Sequence, residues 1–312
     1  MKICIVGSGW VGAHLTKSLM GEHDVTLYDA NCIFHGSSAH NQNRLHLGYH
    51  YARDYNTRQL CQNTYFRFIE EYGFLIDDVE KNYYVVPSNN SIIDYKTYTK
   101  IFDEFTTHKE VEVDFLQNYS GCIDTQEKYI NPVKCKAYFE KLLQNNFIKR
   151  EICEENLENL KSEYDLVINC TNNSLHPITD NIYSEKCDTL LYRRKREIDF
   201  GALTFVDGKL FSIYPHDFEN NIYSLTDVEF TPKDGLTIEE KRSLIEQKVL
   251  CYYGDFLEDF EYYGYHIGKK EKIHNLSDCR VPIIRTEDNL ISVFTGKIQG
   301  IYVIEEMIRN AI

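Results

Sequence analysis

The chain is short of positive charge. In 312 residues, 34 Lys and Arg stand against 48 Asp and Glu, a formal net charge of −14. Nucleic acid and anionic membrane surfaces both require a basic face, so neither is expected as a partner. No apolar run approaches the roughly 20 residues that a membrane-crossing helix needs, so no membrane-spanning segment is expected. Proline (6) and glycine (16) are too scarce for a fibrous or disordered protein. The ten cysteines include no CxxC pair and no zinc-like spacing, so no metal centre is expected. Met1 runs into an apolar stretch rather than through a basic segment, an apolar helix and a small-residue cleavage site. The expectation is a cytoplasmic protein whose thiols are reduced and structural. Tyrosine, by contrast, is abundant at 24 residues, which suits strand-rich surfaces and a pocket with polar tips.

The first thirty residues carry the strongest pattern. A short β-branched run, 2–6, is followed by Gly7-Ser8-Gly9-Trp10-Val11-Gly12 and then by Val11, Leu15 and Leu19 at helical spacing. A second strand-like run ends in Asp29 and Ala30. Strand, glycine turn, helix, strand and terminal acid is the order of a dinucleotide-binding fingerprint. Gly7 permits the tight turn, Gly9 lets the backbone approach a pyrophosphate, and Gly12 lets the helix lie close on the strand. The helix N-terminus offers unpaired N–H groups and a positive dipole end to phosphate. Asp29 can accept both hydroxyls of an adenosine ribose. The alternative is a glycine turn that serves packing alone.

Strand–helix alternation does not continue past Asp29, which argues against a nicotinamide enzyme. Residues 31–54 are a polar and aromatic stretch rich in amide, His and Arg side chains, and a long loop of this kind is usually functional. Helices are expected over 56–72, 92–105, 131–145 and 236–252, and strands over 82–87, 111–116, 147–152 and 163–169. The stretch 186–232 reads as strands separated by Asp-Gly and Asn-Asn turns, 256–267 and 272–284 as further strands. Residues 290–294 form an apolar strand ahead of a final helix over 301–312. Three segments, 3–12, 164–173 and 290–300, share one pattern, a buried strand ending in a polar or glycine turn. In a parallel sheet such carboxyl ends gather at the edge where ligands bind. A ligand that needs several of these ends and reaches a separate β layer is more naturally FAD than NAD.

With these motifs in place, the chain resembles the FAD-dependent oxidoreductases of the D-amino acid oxidase type, which include glycine and sarcosine oxidases. Three places carry the resemblance. The first is the fingerprint with Asp29. The second runs from Gly36-Ser37-Ser38 through Asn43-Arg44-Leu45-His46-Leu47-Gly48-Tyr49-His50-Tyr51, similar to the family's segment between the pyrophosphate and the isoalloxazine. The third, Val293-Phe294-Thr295-Gly296-Lys297-Ile298, is similar to the glycine turn whose backbone meets the pyrimidine end of the flavin. A strand resembling the family's third FAD segment precedes Thr171, but Cys170-Thr171-Asn172-Asn173 stands where the family usually has a glycine.

The resemblance implies an α/β fold: a discontinuous FAD-binding Rossmann-like domain over 1–80, 120–180 and 270–312, with an inserted antiparallel-sheet substrate domain over 81–119 and 181–269. It implies FAD as cofactor, held by Gly7, Ser8, Gly9, Trp10, Val11, Gly12, Asp29, Ala30, Ser37, Ser38, Asn43, Arg44, Leu45, Thr171, Gly296, Lys297 and Ile298. The activity implied is oxidation of a C–N or C–O bond of a small anionic substrate, amino or hydroxy acid-like, with the hydride passing to flavin and the electron acceptor open. A redox-neutral flavin enzyme, such as a nucleotide-sugar mutase, and a non-catalytic nucleotide-binding descendant are the alternatives.

For catalysis, the family often places a carboxylate-binding Arg just before the last FAD strand, where this chain has Arg280 and Arg285; we favour Arg280, the alternative being a structural ion pair with a neighbouring Asp or Glu. His46 and His50 could hydrogen-bond flavin, carry protons or anchor it covalently, and Tyr49 and Tyr51 could line the pocket. Tyr214-Pro215-His216 and Tyr265-His266 could face the flavin, with core or surface roles as the plainer expectation. The run Lys269 to Lys272 reads as a solvated turn.

Overall fold

The three strand ends predicted to converge are neighbours in one sheet. The computed structural model describes residues 1–275 and 277–312. Its six-stranded sheet runs in the order Ile283–Glu287, Leu290–Phe294, Leu166–Asn169, Lys2–Val6, Asp24–Asp29 and Phe147–Lys149. All neighbours are parallel except the first pair. Val6 lies opposite Asn169 and Tyr28, and Asn169 opposite Ser292, so the glycine turn, the Cys170 turn and the Thr295 turn leave one edge side by side. The strands are buried on both faces, which is why they read as unbroken apolar runs.

The chain ends are clamped together. The helix Trp10–Leu19 packs on the final helix Ile301–Ala311 through His14, whose Nδ1 lies 2.7 Å from the Tyr72 hydroxyl and Nε2 3.2 Å from Glu305. Hydrogen bonds from His14, Ser18 and Arg309 hold the Glu305 carboxyl well below the usual range, against burial. This contact ties the C-terminal glycine turn to the N-terminal one.

A second, eight-stranded sheet runs in the order Phe260–Ile273, Ile182–Arg194, Ile222–Asp227, Phe211–Asp217, Ala202–Phe205, Asn82–Pro87, Tyr119–Thr125 and His108–Val111. Its neighbours are antiparallel save Ala202–Phe205 on Asn82–Pro87. One face is apolar, with Leu203, Ile213 and Leu225 packed with Ile245 and Val249 of the helix Ile238–Leu250. The other carries Thr204, Ser212 and Ser224. A three-stranded sheet, Arg44–Leu45, Lys128–Ile130 and Ile76–Asp77, also forms.

Several expectations change. The strand Tyr119–Thr125 belongs to the eight-stranded sheet, so the division expected at 120 cuts it; its Ser, Gly and Asp hide the β pattern. The strand expected over 111–116 stops at Val111, and a helix, Glu154–Glu163, occupies the connection where none was expected, because only Leu157 and Leu160 of it are buried. The two strands expected over 256–284 are one long strand, Phe260–Ile273, and the start of Ile283–Glu287; residue 276 lies outside the described residues. Lys269 to Lys272 are therefore strand residues, not a turn. No described helix is long and apolar enough to cross a membrane. All ten cysteines are free. The thermal midpoint is accordingly expected to be the same with and without a reductant, which a calorimetric scan in each buffer checks.

Candidate active site

The converging turns open on a cleft of about 1670 Å³ between the six-stranded sheet and the polar face of the eight-stranded one. Gly9, Arg44 and Gly296 all lie on its wall. The glycine turn is tight for identifiable reasons. Gly7 has φ of +101°, and a Cβ there would sit 2.7 Å from the Cys170 carbonyl oxygen. Gly9 opens the helix Trp10–Leu19 with no side-chain cap and no acid in the first turn, so those N–H groups and the dipole end are available to an anion. Ser38 meets them, accepting from the Trp10 N–H at 3.1 Å. Asp29 accepts from the Ser8 N–H (2.7 Å), the Ser8 hydroxyl (2.8 Å) and the Asn31 N–H (2.8 Å). A carboxylate has about four acceptor sites, so one remains for a ribose hydroxyl.

The missing glycine after Asn169 is replaced in kind. Asn172 and Asn173 take φ of 54° and 66°, the left-handed region that asparagine tolerates better than other side chains. Asn169 Oδ1 accepts from the Thr171 N–H (3.1 Å) and hydroxyl (2.8 Å), which shapes the turn.

Around the far end of the cleft sit several cations. Arg44 is 7% exposed; its guanidinium donates to Thr204 Oγ1 and Gln42 Oε1, both at 2.8 Å, and lies 4.3 Å over the Tyr214 ring. Its Nε is buried without a partner among the described residues, as is Nδ1 of His50. Lys297 stands 4.5 Å over the Tyr51 ring; burial, then Arg44, pushes its ammonium down to about 7. Burial, followed by Arg44, His46, Lys297 and Arg280, holds His50 well below the imidazole range. Arg280 pairs with Asp278, and its backbone N–H donates to Thr57 Oγ1 at 2.8 Å. Arg285 instead bonds the Pro177 carbonyl and Glu287, away from the cleft.

Of the residues singled out from sequence, Gly7, Ser8, Gly9, Trp10, Val11, Asp29, Ala30, Ser37, Ser38, Asn43, Arg44, Thr171, Gly296, Lys297, Ile298, Arg280, His46, His50 and Tyr51 line the cleft. Gly12 does not; it packs the helix against the strand. Leu45 does not either, its side chain being in the core while its backbone pairs with Lys128. Tyr49 requires correction as a catalytic candidate. It is fully buried among Tyr84, Phe102 and Phe105, with its hydroxyl at Thr107 and His108. Tyr214 is buried beneath Arg44, and His216 and His266 stack on each other and on His40 rather than lining the cleft. Two residues not singled out from the sequence prove central. Gln299 accepts from the His46 N–H (3.1 Å) and donates to the His46 carbonyl (2.8 Å). Glu127, fully buried, accepts from the N–H groups of Leu47 and Gly48. No group of three or more His, Cys, Asp or Glu among the described residues could hold a metal ion.

A helix end with no acid in its first turn behind a glycine turn, an acid at the second strand end, and a buried Arg Nε without a partner among the described residues fit a long anionic dinucleotide with a polar ring. Fold and cleft together define the flavin-dependent oxidoreductase class. No family model matches the chain. It is 30% identical over 336 residues to FAD-dependent monooxygenase FPY4 of Fusarium mangiferae, an alignment covering 99% of this chain and 90% of that protein. Glycine oxidase from Geobacillus kaustophilus shares the fold with a TM-score of 0.72 at 11% identity, covering 99% of this chain and 93% of that one. The FAD-bound L-α-glycerophosphate oxidase from Mycoplasma pneumoniae does so with 0.69 at 10% identity, over 98% and 92%. The chain belongs to the FAD-dependent oxidoreductase and monooxygenase family, and FAD is its cofactor. FAD in place of a nicotinamide cofactor sets aside the nicotinamide alternative.

Proposed function

We propose that this flavoenzyme oxidises a C–N or C–O bond of a small anionic substrate, amino or hydroxy acid-like, with hydride transfer to flavin. The observation that supports it is the set of cations on the cleft wall: in a chain of net charge −14, Arg44, Arg280 and Lys297 all line it, and Lys297 has no carboxylate partner among the described residues. When bound, the isoalloxazine supplies a two-electron acceptor. The Gly7–Gly12 turn would hold the pyrophosphate, Asp29 the adenosine ribose, and the Thr295–Ile298 turn the pyrimidine end. The fork of donors on Arg280 would take the substrate carboxylate and fix which carbon–hydrogen bond faces the ring.

An anaerobic screen of amino and hydroxy acids, read by bleaching of the visible flavin band, tests the reading; failure of every anionic donor counts against it. With a substrate in hand, Arg280→Met is expected to raise KM about 10–100-fold, the loss of a charged hydrogen bond worth about 1.5–3 kcal/mol. Arg285→Met, outside the cleft, is expected to leave KM unchanged. The name of the Fusarium relative favours a second reading, insertion of one oxygen atom from O2 into the substrate at the cost of a separate reductant. Isotopically labelled O2 separates the two, since only that reaction carries the label into product.

A further inference from the structure

Glu127 stands between the strands Tyr119–Thr125 and Lys128–Ile130 and is 1% exposed. Its carboxylate accepts four hydrogen bonds. Oε1 takes the backbone N–H groups of Leu47 (2.7 Å) and Gly48 (3.1 Å). Oε2 takes the Tyr84 hydroxyl (2.6 Å) and His46 Nδ1 (3.1 Å). Those four fill the acceptor capacity of an ionised carboxylate and leave no room for a proton of its own. Burial pushes the carboxyl up, but His46, Tyr84 and the Leu47 N–H outweigh it and keep the group below its ordinary range.

A site made only of acceptors requires a hydrogen from every partner. For an imidazole that decides the tautomer: Nδ1 carries the hydrogen and Nε2 the lone pair. The His46 backbone is clamped as well, N–H and carbonyl both to Gln299. His46 Nε2 has no hydrogen-bond partner among the described residues, and the ring lines the cleft. The charged and titratable groups near the ring are Glu127, His50, Tyr51, Lys297 and Arg44. Burial pushes the imidazole down to about 4; Glu127 opposes that, and Lys297 and Arg44 add to it. Nε2 therefore stays an acceptor at neutral pH.

We propose that Glu127 is a positioning residue that, through His46, fixes the Nδ1–H tautomer and aims an unprotonated Nε2 into the cleft to receive a hydrogen bond from a ligand O–H or N–H. The inference rests on the flavoenzyme reading. The donor is either a hydroxyl or amine of the substrate or an N–H of the flavin ring.

The test compares the wild-type holoenzyme with Glu127→Gln. A glutamine keeps the shape, lets its oxygen accept from Leu47 and Gly48, and turns an N–H toward His46, so the ring must adopt the Nε2–H form. Nitrogen NMR of histidine-labelled protein is expected to show His46 protonated on Nδ1 in the wild type and on Nε2 in the variant, with equal FAD content. If the flavin is the donor, the visible band of the oxidised variant shifts with no substrate present. If the substrate is the donor, the band stays and flavin reduction slows by about 10²-fold with an altered pH profile, the usual worth of a positioned acid–base group. An Nε2–H tautomer in the wild type, which needs no variant to fold, overturns the proposal, as does an unchanged tautomer in Glu127→Gln. A colourless wild type that takes up no FAD overturns the flavoenzyme reading instead, and the His46 tautomer remains readable on that protein.

Discussion

Gly12→Ala is expected to yield protein that purifies without FAD and melts several degrees below the wild type. A Cβ at Gly12 would lie 1.8 Å from the Gly7 carbonyl oxygen and 3.0 Å from its carbon. Both obstacles are backbone, so no side chain can swing aside and the helix Trp10–Leu19 must lift from the strand Lys2–Val6. Overpacking of this kind costs about 1–3 kcal/mol, and a chain of this size loses roughly 1–2 °C of Tm per kcal/mol. The larger effect is on the cofactor. The N–H groups of the helix end and the Gly9 backbone have to face the pyrophosphate together, and a helix displaced by the width of a methyl group cannot present them so. Gly9→Ala provides the contrast. A Cβ there meets only the Ser38 hydroxyl, at 2.8 Å, which can rotate away. It is expected to keep the wild-type Tm as apoprotein while weakening FAD. The ratio of flavin to protein absorbance and the melting of both apoproteins check the pair. A fully yellow Gly12→Ala protein would mean that the helix–strand spacing does not set cofactor binding.

The parts of this molecule that were legible in the sequence are those whose signal is local. A buried strand followed by a turn reads as such from ten residues, and the register of Val6 against Asn169 and of Asn169 against Ser292 then brings three of them to one edge. The glycine missing after Asn169 is a departure only because the pattern is written in glycines. The physical requirement is a positive φ, and Asn172 and Asn173 meet it. What was hidden is whatever depends on contacts distant along the chain. Glu127 touches His46 and Leu47 across some 80 residues, with no neighbour that marks it, and Gln299, though it follows the C-terminal glycine turn, reaches His46 across 253. Tyr49 shows the converse. It lies within the segment that shapes the cleft, but its own side chain belongs to the core.

Binding of a small carboxylate to the FAD-loaded protein is expected to weaken as pH rises through about 7, with Lys297 as the group responsible. Burial, then the nearby Arg44, pushes the ammonium from its ordinary value near 10.5 down to about 7. Below that pH the group is a cation and attracts the anion; above it the group is a neutral amine and does not. A bound anion raises the amine's pKa, so affinity falls by about tenfold per pH unit above the free value until the pKa of the complex is reached. The other groups facing this part of the cleft are silent in that window. His46 lies down at about 4 and His50 well below its ordinary range. A guanidinium keeps its charge in proteins and contributes no slope. Lys297→Met is therefore expected to flatten the profile and to lower the affinity measured at acidic pH by about 10–100-fold, the worth of one charged hydrogen bond. Arg280→Met should lower affinity at every pH and keep the slope. Titration of the visible flavin spectrum with acetate or benzoate at a series of pH values reads both quantities. A slope that survives in Lys297→Met would place the titrating proton on another group and remove Lys297 from the anion site.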